Sequence, residues 1–558
     1  MTLFRELKSN LNMKKLKIII LSTSCILLLG GGISNYFEIT KNLEIFNNLF
    51  REIQTYYVDE INPGDLMETA IDGMLKELDP YTKYIPESDV EDFRFQTTGE
   101  YGGIGSLIRK IDNYVWIAEP YYNFPADKAG LKMGDKLLEI DGQKVDNVNT
   151  DDVSSLLKGT PGTEVTVLAE TIDGEIKEFS ITREKIHVPS VPYAGLIGNI
   201  GYVKLRSFTR HCTREVLDSI DSLMDKVSLD GLILDLRFNP GGLLNESINL
   251  ANLFISKDET VVTTKGKIKE WEKTYKTKKE PNYPNLPIVV LINQGSASAS
   301  EIVAGTLQDL DRAVVLGVRS FGKGLVQQSR KLNYNSQLKV TVAKYYTPSG
   351  RCIQSRDYAL KDNNGIVKEL DDSLRQSFTT RNGRIVYDGG GVDPDIKMDN
   401  IKYPEIIKNL KVNNYVFKFC NQYFQDFDYE SDMLLPSFSI NEDMFNNFIK
   451  YIEEEDFSFT VNSESIIKEL EESLEDELYL GNMTKEINVI KQSILKHKKD
   501  DIEKYKVEIK KEIANDFITR LFYQSGRIQY NLKDDQYIIQ AISLLSNQEE
   551  YSKILSSE

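Results

Sequence analysis

Residues 286–309 read LPIVVLINQGSASASEIVAGTLQD. The apolar run up to Ile292 predicts a buried strand, Gly295 a turn, and the spacing from Ser300 onward an amphipathic helix. Such a strand–turn–helix unit presents a serine at a helix N-terminus, where free N–H groups and the helix dipole favour developing negative charge. Taken by themselves, Ser296, Ser298 and Ser300 also read as helix caps and small spacers, since serine is a preferred capping residue. Outward from this unit, GLILDLRF, RAVVLGV and LKVTVAKYYT predict further strands, and ESINLANLF a further helix. That alternation is α/β texture.

A second stretch, GVRSFGKG at 317–324, has the G-x-x-x-x-G-K frame of a phosphate-binding loop. That chemistry requires a helix after the loop and a Ser/Thr for Mg²⁺. Here Gly324 replaces the hydroxyl residue, and LVQQSRKLNYNSQLKVTV predicts strand, turn and strand. The phosphate reading therefore fails. Lys323 is left either on an idle glycine turn or in chemistry with a distant partner.

Together the two stretches resemble the carboxy-terminal processing peptidases, serine proteases that use a serine–lysine dyad. The resemblance rests on SASASEI, FGKGLVQ, the upstream LDGLILDLRFNPGG, and the downstream YYTPSGRCIQ and DGGGVDPDI, in the family's order, and covers roughly residues 38–400. It implies Ser298 as nucleophile, Lys323 as general base, Gln327 as a residue orienting the amine, and Glu301 as a further catalytic-site residue that packs or aligns the site. It also implies an oxyanion loop at Asn239-Pro240-Gly241-Gly242, with Ala299 and one of the two glycines, taken here as Gly241, as donors.

The physical chemistry suits these residue types. A serine hydroxyl is a weak nucleophile and needs a base within hydrogen-bond reach. A lysine with its ordinary pKa of ~10.4 is neutral in fewer than about one molecule in a thousand at pH 7. Burial disfavours the charged amine, and Phe321 is the apolar neighbour expected to supply it. Making the neutral form about a thousandfold more populated costs ~4 kcal/mol. Gln327 would orient the amine without adding charge. A Ser–His–Asp centre finds little support, because His211 lacks any flanking signature and His187 lies on a domain boundary.

TTGEYGGIGSLI, which contains Gly103, Ile104 and Gly105, opens a region of short strands and glycine turns. It resembles the carboxylate-binding loop of a PDZ domain, in which successive N–H groups grip a peptide C-terminus while the peptide adds as a strand. YYNFPADKAGLKMGDKLLEIDGQKV follows in the order of that fold. Ser106 stands where many such loops carry an apolar residue.

The remaining sequence bounds the picture. Net charge is −17 over 558 residues, which argues against a nucleic-acid partner. The four cysteines form no C-x-x-C pair and no metal-ligand spacing, so neither a metal nor a cofactor is expected. Lys14, Lys15 and Lys17 precede an apolar stretch from about Ile18 to Ile33, the pattern of an export signal or an uncleaved inner-membrane anchor. The expected organisation is multidomain α/β: 1–37 signal or anchor, 38–96 N-terminal helical region, 97–185 PDZ domain, 186–400 serine protease core, and 401–558 helical C-terminal extension. The expected function is an exported, periplasmic or extracytoplasmic endopeptidase acting on proteins with accessible C-terminal tails. The alternative is a PDZ-based envelope adaptor or chaperone with an inactive hydrolase core. Residues 38–98 and 401–558 leave a homodimer or an adaptor partner open.

Overall fold

The computed structural model describes residues 36–361, 367–424 and 435–556. The export or anchor segment expected at 1–37 lies almost wholly outside the described residues. No helix among those described is long and apolar enough to cross a membrane.

The chain forms two compact units, 1–84 and 85–558. The first contains a helix over 36–56 and a second over Pro63–Lys76. The second helix starts where Asn62 accepts the Gly64 N–H at 2.9 Å, with Pro63 at its first position.

In the larger unit, a six-stranded antiparallel sheet begins with Ser106–Ile111 and Tyr114–Pro120 and ends with Glu164–Glu170 and Ile176–Thr182. Strand alternation turns Val115, Ile117, Val165 and Val167 inward, against Val153 and Leu157 of the helix Thr150–Leu157. The short helix Pro125–Ala129 lies where PADKAG predicts it.

The protease region is built on a sheet ordered Tyr193–Ile197, Ile200–Lys204, Gly231–Asp235, Ile288–Ile292, Val314–Gly317 and Ile396–Lys397. All neighbours after the first pair run parallel. Gly231–Asp235 and Ile288–Ile292 are buried along their whole length, as parallel strands covered on both faces must be. One face packs on the helices Cys212–Met224, Leu244–Asn252 and Ala299–Asp309 through Val216, Ile220, Leu250 and Val303. The other face is covered from the far end of the chain: Tyr537, Ile538, Ala541, Leu544 and Leu545 of Gln536–Ser546, with Tyr551, pack on Ile233, Val289, Leu291 and Val314. The last two helices are thus the third layer of the protease core. An antiparallel sheet containing Thr260–Gly266, Leu325–Lys331 and Gln337–Tyr346 stands beside it.

Residues 405–424 and 435–532 form a helical assembly with its own aromatic core, including Phe419, Phe448 and Phe517.

Candidate active site

Three loops leave the carboxyl ends of adjacent parallel strands, the usual location of ligand sites in such sheets. Leu236–Gly242 follows Gly231–Asp235, Asn293–Ser298 follows Ile288–Ile292, and Val318–Gly324 follows Val314–Gly317. The three predicted motifs therefore share one edge of the sheet.

The geometry separates the three serines. Ser296 and Ser300 are wholly buried, and their hydroxyls donate to the Leu236 and Asn239 carbonyls at 2.8 and 2.9 Å. They brace the turn. Ser298 is half-buried at the N-cap of Ala299–Asp309, with φ 56° and ψ −112°. A non-glycine residue held at positive φ stores strain, and such residues cluster at active sites. A sharp strand-to-helix turn of this kind projects a nucleophile away from the backbone.

Asn239 ties the N-P-G-G loop to this turn. It is wholly buried; its side chain donates to the Leu205 carbonyl at 2.9 Å and its own carbonyl accepts the Ala297 N–H at 3.0 Å. Gly241 lies against the serine: a Cβ there would stand 2.6 Å from the Ala297 oxygen and 2.9 Å from the Ser298 Cβ. The Gly241 N–H, expected to face an oxyanion, donates instead to Asn239 Oδ1 at 2.9 Å in this arrangement. Ala299 occupies the first helical position, whose N–H has no intrahelical acceptor.

Glu301 sits behind the loops, wholly buried. Its Oε2 accepts the backbone N–H of Ser298 at 2.7 Å and of Lys323 at 2.9 Å. Its Oε1 accepts Ser320 Oγ–H at 2.5 Å and the Gly322 N–H at 2.7 Å. Burial pushes its carboxyl up to about 7 against the pull of these four donors. Its carboxylate faces backbone and the Ser320 hydroxyl. The Tyr345 hydroxyl lies 3.1 Å from the Ser298 carbonyl oxygen and 2.7 Å from that of Lys323. The backbones of Ser298 and Lys323 are thus bridged twice, by Glu301 Oε2 at their N–H groups and by the Tyr345 hydroxyl at their carbonyls.

The turn carrying Lys323 is fixed by the downstream motifs. Gly324 N–H donates to Gln354 Oε1 at 2.7 Å, Ser355 N–H to the Gly322 carbonyl at 2.9 Å, and Val392 N–H to Ser320 Oγ at 2.7 Å. Lys323 is half-buried. Phe321, the apolar neighbour expected to help bury the amine, is 47% exposed, and its N–H donates to the Ser296 carbonyl at 3.0 Å. Gln327, on Leu325–Lys331, donates from Nε2 to Thr341 Oγ1 at 3.1 Å, beside an irregularity in the pairing at Val326/Gln327.

Away from this edge, Gly103 ends the strand Glu100–Gly103, Ile104 is 3% exposed within the PDZ-like core, and Gly105 has φ 76°. His187 pairs with Glu215 at 3.1 Å, and His211 is exposed. Among the described residues no group of three or more His, Cys, Asp and Glu is arranged to hold a metal. Asn239 and Tyr345 are the contributors that sequence reasoning left unassigned, although both lie inside motifs it quoted.

Comparison with known proteins agrees with this layout. Residues 199–362 match Peptidase family S41, residues 116–171 a PDZ domain, residues 406–545 "Probable PDZ-protease, C-terminal helical domain", and residues 32–88 "Activating protease CtpB N-terminal domain". A carboxy-terminal-processing protease of Bartonella bacilliformis is 37% identical over 342 residues, covering 60% of this chain and 78% of that protein. A probable CtpA-like serine protease of Staphylococcus aureus is 33% identical over 380 residues, covering 68% of each chain. With these matches added to the site geometry, the chain belongs to peptidase family S41 and is a serine-type peptidase carrying a PDZ domain.

Proposed function

We propose that this peptidase cleaves proteins that present an accessible C-terminal tail, through a Ser298/Lys323 dyad. The observation that carries the reading is the double bridge of Glu301 and Tyr345 across the backbones of those two residues. In this reading the Ile104–Gly105 loop holds the tail's carboxylate, and the chain enters the cleft as an added strand.

The neutral Lys323 amine takes the Ser298 hydroxyl proton as the oxygen attacks the scissile carbonyl. Ala299 N–H, at the dipole-favoured helix start, stabilises the oxyanion, joined by a glycine N–H of the N-P-G-G loop once Asn239 releases it. Lys323 then gives its proton to the departing amine as the C–N bond breaks. Water, deprotonated by the same amine, attacks the acyl-enzyme and frees Ser298. Gln327 aligns the amine, and Glu301 keeps both backbones in register.

The basic, then apolar N-terminus supports export, with the catalytic unit in the extracytoplasmic space and the segment either cleaved or retained as an anchor. The names of the relatives above support tail-directed cleavage. The test is a mass map of products from a poorly folded substrate with a free C-terminal tail. Wild type should yield discrete fragments that Ser298→Ala does not, and fragments persisting in Ser298→Ala overturn the reading.

A further inference from the structure

The helix Lys506–Leu532 runs for 27 residues with one break, at Tyr523, where φ is 56° and ψ is −169°. An aromatic residue rarely adopts that conformation, and no glycine or proline occupies the break itself. Strain of this kind persists only where surrounding contacts impose it, and here the contacts come from the PDZ domain. The Gln524 N–H, released from the helix ladder, donates to Glu119 Oε1 at 2.8 Å. Glu119 is buried at the end of Tyr114–Pro120. The Tyr523 hydroxyl donates to Asp127 Oδ1 at 2.7 Å, and its ring meets Tyr122 edge-on, with centroids 5.2 Å apart. One turn earlier, Arg520 donates to the Met133 carbonyl at 3.0 Å.

The segment gripped by Tyr523 is the one that braces the carboxylate loop. Tyr121 N–H donates to the Gly105 carbonyl at 2.9 Å, and Ala126 N–H to the Ile104 carbonyl at 2.8 Å. Phe124 lies so close to Gly105 that a Cβ on the glycine would stand 2.6 Å from the phenylalanine Cβ. Asp127 takes the Tyr523 hydroxyl on one oxygen and the Asn123 N–H, at 2.7 Å, on the other.

We propose that Tyr523 is a positioning residue for peptide capture: from the C-terminal helical assembly it fixes the Tyr121–Asp127 segment, and through it the orientation of the Ile104–Gly105 loop toward a peptide carboxylate. The proposal rests on the reading of that loop given above.

The experiment uses the full chain in a Ser298→Ala background and a fluorescein-labelled peptide ending in Val-Ala-Val, with a free carboxylate or a C-terminal amide. Wild-type sequence at 523 should bind the free acid more tightly. Tyr523→Phe, which deletes one oxygen, should weaken that binding about three- to tenfold. With Ser298 restored, the same variant should raise KM for a tailed, unfolded substrate by a similar factor and leave kcat within about twofold. Glu119→Ala should act in the same direction and Glu119→Gln, which keeps an acceptor for the Gln524 N–H, should retain affinity. If Tyr523→Phe fails to melt cooperatively, the Glu119 pair decides by that contrast. Acid and amide binding equally in the parent would overturn the loop reading, and the Tyr523 role with it. Acid preference in the parent with no change in affinity or KM in Tyr523→Phe, or a fall in kcat alone, would overturn the Tyr523 role and leave the loop reading standing.

Discussion

The Glu301 carboxylate accepts the backbone N–H of Lys323 at 2.9 Å through the same oxygen that accepts the Ser298 N–H. Replacing Glu301 by Ala strands four donors, of which the Ser320 hydroxyl and the Gly322 N–H are buried, and a buried donor left unpaired costs about 1–3 kcal/mol. We expect cleavage to fall more than about a hundredfold, with a lowered Tm. Steady-state kinetics and calorimetry check this.

The same carboxyl makes stability depend on pH. Its folded value, about 7, lies above its ordinary 4.5, so between those values the folded protein binds more protons than the unfolded chain. Stability should therefore fall as pH rises from about 4.5 to about 7, by ~3 kcal/mol from this group. Denaturant titrations at several pH values should show that slope in wild type and its absence in Glu301→Gln.

Tyr345→Phe keeps the ring and removes the hydroxyl between two carbonyls. Tyr345 is 1% exposed, so the substitution should cost about 1–3 kcal/mol and lower kcat roughly tenfold, with KM little changed. An unaltered kcat would show that the bridge does not set the dyad.

The motifs legible in the sequence are those written as turns. Phe321-Gly322-Lys323-Gly324 and Asn239-Pro240-Gly241-Gly242 are local strings, because a turn's chemistry lies within a few adjacent residues. Glu301 was legible as a residue that packs or aligns the site, but not as one wholly buried beneath it. Its carboxylate is met by the later Ser320–Lys323 loop, which no periodicity on its own helix reports. For the same reason the sequence does not report that Phe321 stays 47% exposed while its N–H is tied to the Ser296 carbonyl. The helix Gln536–Ser546 carries a clear apolar pattern, but its partner strands lie hundreds of residues away. A pattern shows that a face is covered and not by what. The break at Tyr523 itself carries no glycine or proline, and its local signal is the Ser525-Gly526 pair two residues on.

Arg237 holds Asp235, a wholly buried carboxylate at the strand end leading into the N-P-G-G loop, through contacts of 3.0 and 2.7 Å. Burial pushes Asp235 up, but Arg237, Lys204 and the Tyr202 hydroxyl outweigh it and hold the carboxyl below its usual range. Arg237→Ala should cost about 3–5 kcal/mol, since it leaves a buried charge without its main partner. Because the folded value is depressed, the stability from Asp235 is present above about pH 3.8 and lost as pH falls toward the folded value. Acid titration of wild type and Asp235→Asn should differ in that window.

Gly241→Ala should disable the site while leaving Ser298 and Lys323 themselves unsubstituted. Gly241 has φ 96°, and the added Cβ would meet backbone at 2.6 and 2.8 Å. The conformational penalty alone is about 1–2 kcal/mol, and the contact displaces the turn at Ser298. Turnover should drop with the PDZ affinity for a free-carboxylate peptide unchanged.

The most direct measurement of the central claim is covalent labelling by a fluorophosphonate probe, mapped by mass spectrometry in wild type, Ser298→Ala and Lys323→Ala at matched folding. The dyad requires a single adduct on Ser298 in wild type, none in Ser298→Ala, and labelling slowed more than about a hundredfold in Lys323→Ala. An adduct on another residue, or undiminished labelling of Ser298 without the lysine, would contradict it.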